Sequence, residues 1–313
     1  MTGAGIMLIA LAIDAAIGWP KPVFAAIGHP VTWIGKLIDR LDGWLNLEET
    51  EPKDRKIAGI AAALLVISAA AAAGFVLQML LQGTWAGFVI LGIIAWPFVA
   101  ARSMRDHVLA VARPLANGDL AKARHAVSMI VGRDPNRLDS AGIARSTLES
   151  LAENASDGVV APLFWGAVFG LPGIAAYKAI NTLDSMIGHR TPRHEAFGWA
   201  AARIDDVANL IPARLTGLIF AALAPTPRAA LTTMWQEAGR HRSPNAGWPE
   251  AAMASALGVR LSGPRVYGDH IADEPWVNGA APDPVPADIN RALNLCRTAL
   301  LGIAGLLAVL SLI

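Results

Sequence analysis

Twenty-five consecutive residues, Ile57 to Leu81, carry no charge. About 20 apolar residues suffice for a helix to cross the hydrocarbon core of a bilayer, so this run predicts a transmembrane helix. A second uncharged run, Trp85 to Ala101, follows after only Gln82, Gly83 and Thr84, which predicts an antiparallel helical hairpin. Composition agrees: 54% of the 313 residues are hydrophobic and 16% charged, with a mean hydropathy of +0.43, against about 25% charged in ordinary soluble domains. The expected class is an all-α polytopic membrane protein. A net charge of +1 gives no basic face for nucleic acid. One cysteine, Cys296, allows neither an internal disulfide nor a thiolate cage and is expected to be a packed thiol.

Further apolar segments extend this reading to one membrane domain over residues 1–313. Residues 3–18 are apolar apart from Asp14 and lack the basic start of a signal peptide, which predicts a retained helix with a buried acid. Residues 298–313 form an expected last span. Two stretches are interrupted: 158–177 by Pro162, Gly166, Gly170, Pro172 and Gly173, and 207–224 by Asn209, Pro212 and Arg214. Either they are kinked spanning helices, or they are broken backbone covered by protein or lining a polar cavity. For 158–177 the expectation is a re-entrant hairpin turning at Gly170–Gly173, with arms of about 8 to 12 residues, too short to span. Residues 207–224 are expected to be irregular too. Basic residues concentrate in 18–56 and 102–157, whereas the intervening hairpin tip has none, so the positive-inside rule places these hydrophilic helical loops on the cytoplasmic side. Residues 225–297 form a third hydrophilic block, and Pro282–Pro286 a stiff connector.

Polar residues gather beside the interrupted segments. Arg145, Glu149, Glu153 and Asp157 recur every four residues, an acidic stripe on one helical face that Gly158 is expected to end. Such a stripe is either a solvated face or the edge of a site. Lys178, Asn181, Thr182 and Ser185 share a second helical face, with Asp184 beside them. A third group is Arg203, Asp205, Asp206 and Asn209, a pattern suited to Mg²⁺, which prefers oxygen ligands. There is no phosphate-loop motif, no nucleophile elbow, no CxxC pair and no helical pair of metal-binding histidines; His29 precedes Pro30, and His189 and His194 flank a turn.

Several runs resemble the CobD/CbiB family of adenosylcobinamide-phosphate synthases. These are His29-Pro-Val-Thr-Trp-Ile-Gly35, Val131-Gly-Arg-Asp134, Glu149-Ser-Leu-Ala-Glu-Asn154, Asp157-Gly-Val-Val-Ala-Pro-Leu-Phe-Trp165, Tyr177-Lys-Ala179, Asn181-Thr-Leu-Asp-Ser-Met186, Asp205-Asp-Val-Ala-Asn209 and Ile211-Pro-Ala-Arg214. Later, Ser243-Pro-Asn-Ala-Gly-Trp-Pro-Glu250 and Gly258-Val-Arg-Leu261 with Gly263-Pro264 match the family's C-terminal hallmark. The resemblance runs from about residue 10 to 270; Ser255 and His189 depart from the pattern at two positions.

The resemblance implies an ATP-dependent ligase of vitamin B12 biosynthesis. It would join (R)-1-aminopropan-2-ol, or its O-phosphate, to the free propionate of adenosylcobyric acid. The partners implied are those substrates, the lipid bilayer and other cobalamin-pathway enzymes, and the implied location is the bacterial inner membrane. A carboxylate is a poor acyl donor until phosphorylated, so such a site needs Mg²⁺ and cations on the ATP phosphates, and a base for the amine. On that chemistry Glu149, Glu153, Asp157 and Lys178 are the catalytic candidates, and Asp184, Asp205 and Asp206 the metal ligands. Arg133, Asn154, Asn181, Thr182, Ser185, Arg203, Asn209, Arg214 and Arg260 are the substrate or phosphate contacts. Two other classes remain: a transporter, which would carry its acids mid-span, and a non-enzymatic signalling or scaffold homologue.

Overall fold

The computed structural model describes residues 2–131, 138–267, 270–272 and 274–313. In chain order the helices are α1 (Gly3–Ile17), α2 (Lys21–Ile27), α3 (Pro30–Leu45), α4 (Pro52–Leu81), α5 (Trp85–Ala95), α6 (Ala101–Ala116), α7 (Leu120–Ser128), α8 (Ser140–Ala155), α9 (Ala161–Phe169), α10 (Leu171–Ile187), α11 (Trp199–Ala208), α12 (Leu210–Ala222), α13 (Pro227–Glu237) and α14 (Gly247–Leu257). Among the described residues, four short strands follow: β1 (Leu261–Ser262), β2 (Arg265–Tyr267), β3 (His270–Ala272) and β4 (Trp276–Val277). β1 pairs antiparallel with β4 and β2 with β3, before the last helix, α15 (Pro286–Ser311).

Among the described residues, three helical stretches are long and apolar enough to cross a membrane: α4, the Trp85–Ala116 stretch of α5 and α6, and α15. A fourth arises if α1 and α2, bent by 116° at Gly18–Pro20, count together. The last stretch is longer than expected: the helix begins at Pro286, where proline needs no N–H partner, and not near residue 298. The second run is a helix only to Ala95; a 3₁₀ turn at Trp96–Phe98 absorbs Pro97 before α6 starts.

The chain divides into two compact units, residues 1–100, 161–209 and 304–313 in one, and 101–160 and 210–303 in the other. In the first, Ile38, Val66, Leu183 and Phe197 bring α3, α4, α10 and the loop before α11 into one core. Gly59 admits the Phe197 carbonyl against α4, where any Cβ would collide with it. Gly87 does the same for the Leu81 carbonyl, which closes the expected α4–α5 hairpin. In the second unit Leu148 and Leu151 of α8, Phe220 of α12, Met253 of α14 and Cys296 of α15 share a core; Cys296 is the expected packed thiol.

The break in 158–177 falls at Gly170, whose φ of 72° is disfavoured for residues with a Cβ. Gly173 lies against the Trp165 carbonyl eight residues earlier, so α9 and α10 fold back on each other. Gln78 of α4 accepts the N–H of Leu171 at 2.8 Å, supplying a partner to a donor that a helix start leaves unsatisfied. The arms are unequal: α9 has 9 residues and α10 has 17, because the polar residues after Tyr177 continue the helix.

Two expectations are corrected. Gly158 does not end a helix: α8 stops at Ala155, and Gly158 sits inside a π turn, Ser156–Val160, whose first N–H still bonds the carbonyls of Ala152 and Glu153. Residues 207–224 are not irregular but hold the continuous 13-residue helix α12. Pro212 lies in its first turn, where its missing N–H would have had no intrahelical partner.

Candidate functional site

In the first unit, α10 and α11 carry the densest polar set. Along α10, Lys178 Nζ donates to Asn181 Oδ1 at 3.2 Å. The hydroxyls of Thr182 and Ser185 donate to the carbonyls of Lys178 and Asn181 one turn back, so both are at least partly spent on their own helix. Asp184 is half-buried; burial pushes its carboxyl above the usual carboxylate range, His189 opposes that shift and the charge of Asp206 adds to it. Two acids from different helices therefore lie within electrostatic reach of each other.

On α11 the adjacent acids diverge. Asp206 pairs with Arg203 at 2.8 Å. Asp205 accepts from Asn209 Nδ2 at 3.0 Å, and Asn209 Oδ1 in turn accepts from the buried Tyr177 hydroxyl at 2.9 Å. Trp165 Nε1 donates to the Ala208 carbonyl at 3.0 Å, capping the end of α11. Trp165 and Tyr177 thus fix where Asp205, Asp206 and Asn209 stand, and sequence reasoning did not assign them that task. Among the described residues no three His, Cys, Asp or Glu side chains converge as a preformed metal cage would require. Beside this set runs an apolar groove of about 700 Å³, lined by Trp165, Phe169, Tyr177, Ile180 and Ile204, with Arg203 on its wall.

The second unit holds the other candidates. Glu149 is buried, and its Oε1 accepts the Ser262 N–H at 2.8 Å, which ties α8 to β1. Glu153 and Asn154 are exposed, Asn154 donating back to the Ser150 carbonyl at 2.8 Å, and Asp157 is half-buried in the π turn. The stripe therefore runs from core to surface and is not one solvated face. Arg214 bonds the Leu210 carbonyl and lies 4.4 Å over the ring of Trp248. Arg260 makes a two-pronged pair with Asp283 at 3.0 and 2.7 Å; Arg145 reaches the same acid at 2.6 Å, and both guanidiniums lie over Trp276. The Arg260 guanidinium, assisted by Arg145, holds the Asp283 carboxyl below its usual range. The connector acid Asp283 was missed because its partners lie far away in sequence. Arg133 lies outside the described residues.

The family model described as CobD/Cbib protein matches residues 7–296. A cobalamin biosynthesis protein CobD of Rhodobacter capsulatus is 61% identical, covering 99% of both chains. One from a Sinorhizobium species is 48% identical over 88% of this chain and 87% of its own. One from Brucella suis is 45% identical over 98% of this chain and 97% of its own. No solved structure matches the chain significantly.

Proposed function

Because this chain belongs to the CobD/CbiB family of cobalamin biosynthesis, we propose that it is an ATP-dependent amide ligase, an adenosylcobinamide-phosphate synthase. It joins aminopropanol or its O-phosphate to the free propionate of adenosylcobyric acid. The observation that carries the reading is the α10–α11 polar set, a lysine with an amide and two mutually repelling acids, at the side of an apolar groove. Asp184 and Asp206 fit Mg²⁺: that ion is commonly held by one or two carboxylates, with phosphate and water completing its shell, and a cation would relieve their repulsion. When bound, Mg²⁺-ATP supplies the phosphoryl group that makes the carboxylate an acyl donor. Lys178 orients phosphate, Asn181 holds the lysine in place, and the Tyr177–Asn209–Asp205 chain keeps α11 in register with α10. Purified protein given adenosylcobyric acid, Mg²⁺-ATP and each amine in turn should release one amide product per ATP consumed. No product with either amine would refute the reading; binding of the corrinoid without turnover would favour a scaffold homologue.

The α9–α10 hairpin is re-entrant, because α9, at about 1.5 Å per residue, is only about 14 Å long and cannot cross a core about 30 Å thick. The hairpin returns Lys178, Asp184 and Asp206 to the side of residues 18–56, the cytoplasmic side of the bacterial inner membrane, where ATP is available. A Thr191→Cys variant in a Cys296→Ala background should resist an impermeant thiol reagent added to intact cells. Labelling from outside would rule this topology out.

A further inference from the structure

The apolar groove beside the polar set is built almost without hydrogen-bonding capacity. Its walls all belong to the first unit and come from α4, α9, α10 and α11. Trp165 Nε1 is committed to the Ala208 carbonyl, and the Tyr177 hydroxyl to Asn209 Oδ1. Among the described residues Arg203 is the only charged side chain that lines the groove. A corrin ring, fringed with amides, would leave polar groups buried there without partners, which is costly for each one. A run of methylenes needs no such partners, and burial alone favours it.

The sequence sets the depth of the groove. Lys56 is the last residue before the charge-free run of α4, and Ile60, one turn further on, already lines the groove. The mouth therefore lies at headgroup level and the rest in the hydrocarbon layer. Along α11 the lining extends from Trp199 to Ala208, about 14 Å at the rise of a helix. At the mouth, Lys56 Nζ lies 3.6 Å over the Trp199 ring and makes no ion pair among the described residues. An ammonium held on a ring face keeps N–H donors for a second partner. Arg203, one turn from Trp199 on the same helix, adds a second cation, partly offset by Asp206 at 2.8 Å.

We infer that the groove holds one acyl chain of an anionic phospholipid from the surrounding bilayer, with the lipid headgroup on Lys56. The two ends are complementary in chemistry: methylenes meet an apolar wall, and a net negative headgroup meets an ammonium outside any ion pair. A zwitterionic headgroup would bring its own cation to Lys56 and gain less. The inference goes beyond the ligase reading and does not depend on it.

Native mass spectrometry tests it, on the full-length protein taken into neutral detergent from vesicles of equal parts phosphatidylcholine and phosphatidylglycerol. The parent should keep one phospholipid and prefer phosphatidylglycerol about fivefold, the selectivity of one lysine at a lipid surface. Lys56→Gln should bring that ratio near parity, whereas Lys36→Gln, at an exposed position of α3, should leave it unchanged. Ala176→Phe fills the groove and should lower retention of both lipids. Val207→Trp does the same from an exposed position, and covers the case in which Ala176→Phe fails to fold. A parent that keeps no lipid, or keeps both kinds equally, refutes the inference. So does an unchanged ratio in Lys56→Gln, an equal loss in Lys36→Gln, or full retention in the folded groove variants. Release of the lipid by adenosylcobyric acid would give the groove to the corrinoid and overturn the inference, with the ligase reading untouched.

Discussion

Two clusters of the same residue types behave in opposite ways. In the second unit, Arg145 and Arg260 share Asp283 over the face of Trp276, and the acid is stabilised in its charged form. In the first, Asp184 is driven toward its neutral form by burial and by Asp206, and has no guanidinium of its own among the bonds described. The Arg145–Arg260–Asp283 cluster is electrostatically satisfied and ties a connector down. In the α10–α11 cluster, burial and the charge of Asp206 make the charged form of Asp184 costly, a perturbation common at functional sites. Arginine and aspartate therefore mark structure or function according to what already faces them.

The largest expected effect separates the two clusters by activity. Asp184→Asn and Asp206→Asn should each lower kcat about a thousandfold or more, the scale for losing a metal-ligand acid. Asp283→Asn should leave kcat within about tenfold and lower Tm instead. Steady-state kinetics with thermal melts would reveal the reverse pattern if the roles were exchanged.

A second contrast concerns the turn that presents the polar face of α10. Gly170→Ala forces a Cβ onto a backbone at φ 72° and into the Gln78 side chain that accepts the Leu171 N–H. With ψ at −150° this is a conformation almost confined to glycine, and the strain alone is worth about 1–3 kcal/mol. Melting should show a clear loss, whereas Gly118→Ala, also at positive φ but with open space around it, should lose less.

Smaller still is a pH effect of opposite sign in the two clusters. The Asp184 pKa is raised in the folded protein, so its contribution is greatest at low pH and is lost as pH rises from about 3.8 through the raised value. The Asp283 pKa is lowered, so its contribution is full above 3.8 and is lost as pH falls through the lowered value. With Mg²⁺ chelated, Asp184→Asn should flatten the decline on the alkaline side and Asp283→Asn the decline on the acid side. Melts of both variants across pH would show the same change in each if the clusters were alike.

Much of this was legible in the sequence for identifiable reasons. The charge-free run in α4 allows little else in a chain this apolar, and Gly170 next to Leu-Pro-Gly marks a reversal whatever the surroundings. Lys178, Asn181 and Asp184 were readable because helical spacing is local. The π turn at Ser156–Val160 was not, since one extra residue per turn leaves no compositional trace. Nor was the hidden work of Tyr177, Trp165 and Asp283, whose partners lie 32, 43 and up to 138 residues away. Pro212 suggested irregular backbone because its place in the first turn depends on where α12 begins, and that is set by the turn at Asn209.

The central claim is that Asp184 and Asp206 hold a divalent ion against phosphate. Electron paramagnetic resonance of Mn²⁺ added with ATP to the purified protein measures this directly, through the bound signal and its coupling to phosphorus. The account predicts a bound, phosphorus-coupled ion in the parent and in Asp283→Asn, and at least about tenfold weaker binding in both Asp184→Asn and Asp206→Asn. Equal binding in all four proteins would contradict it.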